Sequence, residues 1–459
     1  MKNITLENIA KVTGGTLYGA DEALAVKEAT GVYIDSRQVT EGSVFIATKG
    51  ERVDGHSFVP AVFEAGALGV ICEEAPLSAK GPYVLVEDSF AALRALGEFY
   101  RCQLSIPVIG ITGSVGKTST KEFIAGVLEA KKNVLKTAGN YNNEIGVPLT
   151  ILRIREEHEV AVLEMGINHF GEMHRLTQMA RPDICVITNI GECHLEFLGS
   201  REGILKAKTE IFDFSNPDGE VLLNGEDDML RRVENVHGNR PIFFGFSKEC
   251  DVYATDVVSN GLLGSTCKIH LGDQVVDARV PLPGKHQVAN AVVAAKVGML
   301  LGLTVEEIAQ GLSQVMPTAG RGHLIETPDY LVVDDCYNAN PVSMKAAIDL
   351  LMDAKGRKVA ILGDMFELGE NEKELHYGVG RYAAEKNIDL VLLAGELSRE
   401  MERAIREVGG VTQVVHYLTR YLLMEDLANR IVRGDTILVK ASHGMGYQNI
   451  VEKLELPIL

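Results

Sequence analysis

The chain has 459 residues, of which 46% are hydrophobic and 24% are charged, a balance that predicts folded globular domains rather than long disorder. This length is typical of about three domains. The formal net charge of −18 and the lack of a basic stripe disfavour nucleic acids and anionic membranes as partners. Because salt screens exposed charges beyond about 8 Å, a phosphate site in this chain must be built locally, from backbone N–H groups, a lysine and bound metal.

Three features of the sequence bear on its compartment. The first residues carry no apolar signal segment. The seven cysteines are scattered without a CxxC pair, a pattern that fits reduced thiols better than a disulfide framework or a zinc site. The most apolar helical stretch, residues 288–303, is interrupted by Asn290 and Lys296 and is shorter than the roughly 20 residues of a membrane span. We therefore expect a cytoplasmic protein with no membrane partner.

Residues 1–105 predict a small α/β domain. Short strands alternate with glycine-containing turns, and they read VYIDSR, SVFIATKG and LGVICEE. A helix over Phe90–Gln103 closes the domain, and Pro107 then interrupts the chain. From residue 106 the pattern changes, which sets the boundary of this domain.

Residues 106–317 predict a central domain with a parallel sheet. Its apolar runs are nearly continuous, as expected for strands buried on both faces; they read PVIGITG, EVAVLEMG and DICVITNIG. A helical stretch follows each run, which is the rhythm of βαβ units; these stretches are Thr118–Ala130, Gly171–Met179 and Lys206–Phe212. A meander over residues 219–283 and a helix over His286–Leu301 complete the domain, and the meander's strands read EVLLN, PIFFGF and TCKIHL.

Residues 318–459 predict a third domain, a second doubly wound α/β unit of the Rossmann type. Four more buried-strand candidates alternate with helical patterns, and they read YLVVDD, KVAILGD, DLVLLAG and DTILVKAS. The predicted fold class is therefore α/β in three domains: a small N-terminal domain, a central parallel-sheet domain and a Rossmann-like C-terminal domain.

A phosphate loop joins the first strand and the first helix of the central domain. Residues 110–120 read GITGSVGKTST, so a strand runs into a glycine-containing loop, then Lys117 and Thr118, then a helix. Such glycines turn backbone N–H groups toward phosphate oxygens, the lysine neutralises charge, and the Thr118 hydroxyl is suited to Mg²⁺. The strict GxxxxGK[ST] pattern fails at Ile111, and a turn that merely contains glycine and lysine is the alternative. The order of elements favours a nucleotide triphosphate site.

Two polar side chains follow the other apolar runs of the central domain. Glu164 comes after the second run and His194 after the third, and ligands of open α/β sheets bind beyond the carboxyl ends of the strands. A carboxylate and a neutral imidazole are suitable ligands for Mg²⁺ or Mn²⁺ beside a triphosphate. The alternatives are a solvated strand-end acid and a packed or capping histidine. By composition alone Lys208, on the next predicted helix, is a surface charge.

With these residues in hand, the sequence resembles the Mur ligase family over nearly its whole length. GITGSVGKTST is similar to the family's TGTNGKT[ST] loop, which itself lacks the earliest Walker glycine, and Val115 stands where the family usually has asparagine. Further segments with the family's pattern read NYNNEIGVPLT, EMGINHFGEM, TNIGECHLEFLGSREGI, AKTEIF, GKHQVANAVVAA, GRGHLIE, DDCYNANPVSM and LGDMFELGENEKELH. The resemblance implies the three-domain fold predicted above, with a P-loop ATPase domain in the centre.

The resemblance also implies residues for ATP, metal and catalysis. Asn290 would read adenine and Arg321 would lie near the transferred phosphate; the full set implied for ATP is Gly113, Ser114, Gly116, Lys117, Thr118, Ser119, Asn290, Arg321 and Asp335. Two Mg²⁺ sites are implied, with Mn²⁺ as an alternative ion, and the ligands are Thr118, Glu164, His194 and an N-carboxylated Lys208. The implied catalytic residues are Lys117, Lys208, His194 and Arg321.

Substrate residues are implied in the same way. DSR and GERVDGH match the family's uridine-diphosphate pattern, and NYNNEIG its sugar-nucleotide side; the residues are Ser36, Arg37, Asp54, Gly55, His56, Asn142 and Asn143. Near the C-terminus LVKASHGMGYQ departs from the family's LVKGSRGMxxE, so that His443 replaces an arginine and Gln448 a glutamate. These departures lie on the substrate side of the third domain and leave the phosphoryl chemistry intact.

The activity that the resemblance implies is ATP-dependent formation of an amide. A monomeric enzyme would join the C-terminal carboxylate of a UDP-N-acetylmuramoyl-tripeptide to D-alanyl-D-alanine through an acyl phosphate, in peptidoglycan precursor synthesis. Two alternatives stay open: a sister ligase that adds a single amino acid or extends folate with glutamate, and a P-loop NTPase switch without ligase activity. YNANP at Tyr337–Pro341 argues against the sister ligases, and the segments around Asn290, Arg321 and Asp335 argue against the switch.

Overall fold

The computed structural model describes residues 1–50, 53–76, 81–191 and 193–456; Glu51, Arg52 and Glu192 of the segments quoted above lie outside the described residues. The strands are β1 Thr16–Tyr18, β2 Val32–Tyr33, β3 Val44–Ile46, β4 Gly69–Cys72, β5 Tyr83–Leu85, β6 Val108–Thr112, β7 Val134–Lys136, β8 Val160–Glu164, β9 Ile184–Ile187, β10 Glu220–Asn224, β11 Ile242–Gly245, β12 Val252–Ser259, β13 Ser265–Leu271, β14 Gln274–Val280, β15 His323–Glu326, β16 Leu331–Asp334, β17 Lys358–Gly363, β18 Leu390–Ala394, β19 Gln413–Tyr417 and β20 Thr436–Lys440. The helices are α1 Leu6–Thr13, α2 Glu22–Ala25, α3 Val59–Glu64, α4 Ser89–Arg101, α5 Lys117–Glu129, α6 Gly146–Ile151, α7 Glu172–Ala180, α8 Leu195–Leu198, α9 Arg201–Thr209, α10 Lys285–Leu300, α11 Val305–Ser313, α12 Pro341–Met352, α13 Glu372–Glu385, α14 Ser398–Val408, α15 Arg420–Arg430 and α16 Gln448–Leu454.

The chain divides into two compact units, each built from several segments. The first unit comprises Met1–Thr112, Lys132–Val186 and Lys208–Val221. The second unit comprises Gly113–Lys131, Ile187–Ala207 and the chain from Leu222 onward. The domain boundaries predicted near residues 105 and 317 remain predictions. No helix among the described residues is both long and apolar enough to cross a membrane.

The first unit begins with a five-stranded sheet in the order β1-β5-β4-β3-β2. Strands β2 to β5 pair in parallel, and β1 pairs with β5 in the antiparallel sense. All residues of β3 and β4 are buried, which is why their apolar runs were recognisable in the sequence. The three predicted strands are confirmed as β2, β3 and β4, and the predicted closing helix is α4.

The same unit contains strands in the order β9-β6-β8-β7. Every residue of β6, β8 and β9 is buried, as predicted from their continuous apolar runs, and β8 pairs in parallel with β6 and β7. Of the helices that were predicted to follow, α5 and α7 begin within one residue of the expected position. Helix α9 begins at Arg201, earlier than predicted, and Glu210–Phe212 form a 3₁₀ turn.

In the second unit, strands run in the order β14-β13-β12-β11-β10. The first three in the chain, β10, β11 and β12, pair in parallel, whereas β12, β13 and β14 form an antiparallel meander. The predicted strands EVLLN, PIFFGF and TCKIHL are confirmed as β10, β11 and β13. The predicted meander is therefore correct for the later strands of this region only.

A six-stranded sheet, also in the second unit, has the order β15-β16-β20-β17-β18-β19. Its strands are parallel except for β15, which pairs with β16 in the antiparallel sense. Apolar cores cover both faces of this sheet, as the doubly wound arrangement requires. The four strands predicted for the third domain are its four inner strands, β16, β20, β17 and β18.

Candidate active site

The phosphate loop connects β6 to α5 and depends on two glycines. Gly113 has φ +149° and Gly116 has φ +84°, backbone conformations that L residues with side chains rarely adopt. A Cβ atom at Gly113 would overlap the hydroxyl of Thr188. Glycine is therefore required at residue 113 by both conformation and space.

The segment Thr188–Gly191, which follows β9, is hydrogen-bonded to this loop. The N–H of Ser114 donates to the carbonyl of Asn189 at 3.0 Å, and the N–H of Val115 donates to Asn189 Oδ1 at 3.0 Å. The hydroxyl of Thr188 donates to the carbonyl of Val115 at 2.6 Å, and the N–H of Gly191 donates to Ser114 Oγ at 2.9 Å. Asn189 Nδ2 also donates to the carbonyl of Val115 at 3.0 Å, so five hydrogen bonds from one short segment, Thr188 to Gly191, fix the shape of the loop.

Helix α5 presents its N-terminus at the end of the loop. Its first backbone bond runs from the N–H of Thr120 to the carbonyl of Gly116, so the N–H groups of Thr118 and Ser119 precede the helical ladder and point out of the helix start, where a phosphate binds. The ammonium of Lys117 donates to the carbonyl of Gly113 at 2.8 Å. This arrangement keeps a cation and two backbone donors beside the glycine turn.

Asn290 lies against the same helix. Its Oδ1 accepts a 2.7 Å hydrogen bond from the hydroxyl of Thr120, and its Nδ2 donates to Gln287 Oε1 at 2.9 Å. Thr120 and Asn290 are both buried. The residue that is predicted to read adenine is thus held in one orientation by helices α5 and α10.

Glu164 ends strand β8 and is 2% exposed. Its Oε1 accepts a 2.8 Å hydrogen bond from Asn142 Nδ2, so a predicted metal ligand and a predicted substrate residue are in contact. Its other oxygen, Oε2, is buried and has no hydrogen-bond partner among the described residues. Because an unpaired buried carboxylate oxygen is costly, this atom fits a divalent cation. Asn143 has a local role: its Oδ1 accepts the N–H groups of Ile145 and Gly146 at the start of α6.

Two other predicted metal residues have different surroundings. Lys208 on α9 is fully buried, so the surface position expected from composition is wrong; the role that the resemblance implies for it stays a prediction. The Nδ1 atom of His194 lies 2.6 Å from Glu367 Oε2. No group of three or more His, Cys, Asp or Glu side chains that could hold a metal is found among the described residues; the predicted ligand set differs from such a group, because it includes a hydroxyl and a modified lysine.

Asp335 follows β16 and pairs with a buried lysine. The ammonium of Lys440, which is 2% exposed, donates to Asp335 Oδ2 at 2.6 Å and to the carbonyl of Asn338 at 2.9 Å. Lys440 therefore ties the carboxylate of Asp335 to the loop that precedes α12. That helix begins with Asn340 as its cap and Pro341 in its first turn, which is the structural reason for the NP pair of YNANP.

Arg321 stacks on an aromatic residue of the same segment. Its guanidinium carbon lies 3.9 Å from the centre of the Tyr337 ring, within the range of a cation–π contact. The ring of His443 lies 5.3 Å from that of Tyr337 at a tilt of 40°. His443, which departs from the family pattern, therefore packs beside Tyr337, the aromatic residue that Arg321 contacts. Gln448, the other departure, accepts a 3.4 Å hydrogen bond from the thiol of Cys336.

In each of the two substrate segments predicted for the first domain, an aspartate accepts hydrogen bonds from the residue two positions later. Asp35 accepts hydrogen bonds from the backbone N–H of Arg37 at 3.0 Å and from its Nε and Nη2 at 2.9 and 2.7 Å. Ser36 begins the 3₁₀ turn that follows Asp35. The hydrogen bond from the Arg37 side chain, followed by that from its N–H, holds the pKa of Asp35 below its usual value. Asp54 likewise accepts the N–H and the Nδ1 of His56, at 3.0 and 2.7 Å, and its pKa is lowered mainly by the backbone bond.

His56 is occupied at both ring nitrogens. Its Nδ1 pairs with Asp54, and its Nε2 accepts the N–H of Glu73 at 3.0 Å, so the proton lies on Nδ1. Gly55 is buried, and a Cβ there would lie 2.9 Å from the backbone of Thr48. His56 and Gly55 therefore shape this loop, while the side chain of Arg37 is exposed.

Sequence reasoning missed several residues that hold the predicted ones. Thr188 and Asn189 fix the phosphate loop, Lys440 holds Asp335, and Glu367 contacts His194. Glu367 follows the run KVAILGD and therefore lies beyond the carboxyl end of β17. The same relation to a strand drew attention to Glu164 and His194 in the sequence. The sequence contained that signal, but its partner could not be found without the fold.

Family profiles and known proteins match the chain along its length. The matching profiles are described as "Mur ligase family, catalytic domain" over residues 28–100, "Mur ligase middle domain" over 111–298 and "Mur ligase, glutamate ligase domain" over 320–443. Two relatives are each named UDP-N-acetylmuramoyl-tripeptide--D-alanyl-D-alanine ligase: the one from Bacillus subtilis is 38% identical with 98% of both chains covered, and the one from Escherichia coli is 36% identical with 99% of both covered.

Solved structures give the same result for the fold. A structure of MurF from Acinetobacter baumannii has a TM-score of 0.88 at 31% identity, with 98% of both chains covered. A structure of MurF ligase from Thermotoga maritima in complex with ADP has a TM-score of 0.81 at 30% identity, with 95% of this chain and 98% of that chain covered. The predicted α/β fold in three domains is thereby confirmed, and the chain belongs to the Mur ligase family.

Proposed function

We propose that the protein is an ATP-dependent ligase that joins D-alanyl-D-alanine to the C-terminal carboxylate of UDP-N-acetylmuramoyl-tripeptide, in peptidoglycan precursor synthesis. The observation that carries the proposal is the phosphate loop, in which Gly113, Gly116 and Lys117 form a cradle that Thr188 and Asn189 fix in place. The names of the relatives that match the chain from end to end support the choice of substrates.

The reaction needs phosphorylation because a free carboxylate is a poor electrophile. The carboxylate oxygen attacks the γ-phosphorus of ATP and ADP leaves, which gives an acyl phosphate. The amine of the dipeptide, as the free base, then attacks the acyl carbon, and inorganic phosphate leaves with one former carboxylate oxygen. Catalysis of this kind depends mainly on positioning and on stabilisation of charge.

The residues proposed to bind ATP act from the loop and from two later segments. The N–H groups of the loop and of Thr118 and Ser119 would bind phosphate oxygens, and Lys117 would exchange its bond to the carbonyl of Gly113 for one to phosphate. Asn290 would read adenine. Asp335 would lie at the nucleotide, held there by its pairing with Lys440.

Arg321 is proposed to stabilise the transferred phosphoryl group. Its stacking on Tyr337 is a cation–π contact that would hold the guanidinium in place beside the phosphate. Arginine is suited to this role because it stays charged and presents a planar fork of donors. The position of Tyr337 within YNANP links this stacking to the segment that distinguishes the chain from sister ligases.

The metal residues proposed are Thr118, Glu164, His194 and an N-carboxylated Lys208. Glu164 is the best supported of them, because its buried Oε2 has no hydrogen-bond partner among the described residues and a cation would provide one. Lys208 fits a carbamate, since burial of an unmodified ammonium is costly. When bound, Mg²⁺ or Mn²⁺ would neutralise the charge on the phosphate oxygens.

The residues proposed to bind the nucleotide sugar lie in the first unit. Arg37 would bind the diphosphate, with Ser36 beside it, and the Asp54-Gly55-His56 turn would support that surface, while Asn142 and Asn143 would lie toward the sugar. ATP and nucleotide-linked sugars are substrates of the cytoplasm, which is the proposed location, and a monomer is the proposed state. The free state of all seven cysteines agrees with that compartment.

A phosphate-release assay on the purified chain tests this function. With ATP, Mg²⁺ and UDP-N-acetylmuramoyl-tripeptide ending in lysine or in diaminopimelate, release should require D-alanyl-D-alanine and should be matched by a new amide. Stimulation by a single amino acid, or by glutamate with folate, would instead identify a sister ligase. Nucleotide-dependent binding of a partner without an amide product would identify a switch.

Lys117→Ala is the matching variant. Loss of its charge should remove phosphate release and ligation together, by about 10²–10³-fold or more, whereas Lys248→Ala, at an exposed turn, should leave both unchanged. Ligation near the wild-type rate in Lys117→Ala would refute the assignment of the loop.

A further inference from the structure

One short hydrogen bond joins residues that lie 173 positions apart in the chain. The Nδ1 atom of His194 lies 2.6 Å from Glu367 Oε2, and both residues belong to the second unit. His194 precedes helix α8, and Glu367 lies in the loop after β17. A distance this short is typical of a hydrogen bond in which one partner is charged.

Both residues adopt a left-handed backbone conformation. The φ angle is +55° at His194 and +61° at Glu367, in the left-handed region, which is uncommon for residues other than glycine and in which asparagine, aspartate and histidine are enriched. Strain of this kind persists where surrounding structure imposes it, and it is concentrated at functional sites. Its presence on both sides of one hydrogen bond sets this pair apart from ordinary surface ion pairs.

The loop that carries Glu367 is fixed on both sides. Met365 and Leu368 are 0% and 2% exposed and pack in the core of the six-stranded sheet. The N–H of Met365 donates to His376 Nε2 and that of Phe366 to Ser442 Oγ, both at 2.8 Å. These contacts hold the backbone on both sides of Glu367, and its side chain, which is 45% exposed, reaches the imidazole from there.

This contact determines the chemistry of His194. A carboxylate that accepts a hydrogen bond from Nδ1–H selects one tautomer, in which the lone pair is on Nε2. Metal-binding histidines commonly have such a carboxylate partner, which orients the ring and raises its basicity. On the basis of the proposed function, in which His194 is a metal ligand, we propose that Glu367 is the residue that positions His194 and that Nε2 is the nitrogen that takes the cation.

The position of Glu367 in the chain gives this pair a second consequence. Glu367 belongs to the segment predicted as the third domain, which would bind the dipeptide, whereas His194 belongs to the predicted central domain. The loop after β17 also bonds to Ser442, next to the departure His443. The orientation of a metal ligand therefore depends on the domain that supplies the second substrate.

Manganese binding tests the proposal without turnover. The full chain is titrated with Mn²⁺ in the presence of AMP-PNP, and electron spin-echo spectroscopy detects an imidazole nitrogen bound to the metal. The variants are His194→Ala, Glu367→Gln and Glu367→Asp, and the control is Glu370→Gln at an exposed glutamate three residues along. Glu367→Asp keeps the charge but withdraws it by one methylene, so it separates hydrogen bonding from long-range electrostatics and provides a second variant if Glu367→Gln folds poorly.

Glu367→Gln and Glu367→Asp should weaken Mn²⁺ binding by about 10–100-fold and reduce the imidazole signal, while Glu370→Gln matches the wild type. Loss of the signal in His194→Ala together with wild-type binding in both Glu367 variants would overturn the role of Glu367 and leave the metal assignment intact. No imidazole signal in the wild type, or an unchanged signal in His194→Ala, would overturn the metal role of His194 in the proposed function, and the role of Glu367 with it.

Discussion

The hydroxyl of Thr120 donates a 2.7 Å hydrogen bond to Asn290 Oδ1, and both residues are buried. The bond joins the helix that follows the phosphate loop to helix α10. It fixes the amide that is proposed to read adenine, so the phosphate and base ends of one nucleotide would be set by a single contact between two helices.

Thr120→Val keeps the shape of the side chain but leaves Asn290 Oδ1 without its donor. We expect a loss of about 1–3 kcal/mol in the free energy of unfolding, and a higher KM for ATP with an unchanged KM for the dipeptide. Thermal unfolding and steady-state kinetics measure the two effects, with Thr40→Val at an exposed site as the control. A folded Asn290→Ala variant whose KM for ATP equals the wild-type value would rule out the adenine role.

Gly113→Ala tests the tight fit of the phosphate loop. The new methyl group would overlap the hydroxyl of Thr188, so the loop must open and the affinity for AMP-PNP should fall by about tenfold or more, since a displacement costing 1.4 kcal/mol is already tenfold. Gly272→Ala is the matched control: its φ is +65° and no described atom lies within 4 Å of the new methyl.

The control separates backbone strain from steric overlap. Gly272→Ala should lose about 1–2 kcal/mol of stability through its left-handed backbone and keep wild-type nucleotide affinity. Calorimetric titration with AMP-PNP measures both variants. Wild-type affinity in Gly113→Ala would show that the loop does not hold phosphate in the form described.

The burial of a strand decides whether the sequence predicts it. Strands such as β6, β8 and β18 are buried along their whole length, and continuous apolar runs mark them in the sequence. Edge strands β15 and β19 are half exposed, so their residues alternate weakly and no run stands out. Strand β12 has an exposed second half and a bulge after Thr255, which breaks the expected period of two.

The site was predictable where the chain order itself carries the chemistry. The phosphate loop follows β6 directly and Glu164 ends β8, so their positions could be predicted from the sequence. The residues that hold the predicted ones could not be predicted in this way, because Thr188, Lys440 and Glu367 lie about 70 to 170 residues along the chain from the residues they contact. Lys208 shows the limit of composition: as a lysine it is expected at the surface, but it is fully buried.

Asp35→Asn and Arg37→Ala test the nucleotide-sugar surface. A charge-assisted hydrogen bond contributes about 1.5–3 kcal/mol, so either change should raise the KM for UDP-N-acetylmuramoyl-tripeptide by roughly 10–100-fold and leave the KM for ATP unchanged. Arg153→Ala, at an exposed site in the same unit, is the control. An equal rise in both KM values would indicate a general defect and contradict this role.

Lys208→Ala tests the carbamate. The variant should lose ligase activity and regain part of it with acetate or propionate, because a small carboxylate fits the space left by the side chain and replaces the missing oxygens. The wild type should lose activity in buffer freed of carbon dioxide and recover with bicarbonate, and Lys206→Ala, exposed on the same helix, should behave like the wild type. Full activity in Lys208→Ala, or inactivation with no rescue, would count against the carbamate.

The central claim is that phosphate is transferred onto a peptide carboxylate. Transfer of ¹⁸O tests it most directly: UDP-N-acetylmuramoyl-tripeptide labelled in its C-terminal carboxylate is incubated with the protein, ATP, Mg²⁺ and D-alanyl-D-alanine, and the released phosphate is analysed by mass spectrometry. We expect one ¹⁸O atom in each phosphate and one amide formed for each phosphate released. Phosphate without label, or label in phosphate without an amide, would contradict the account.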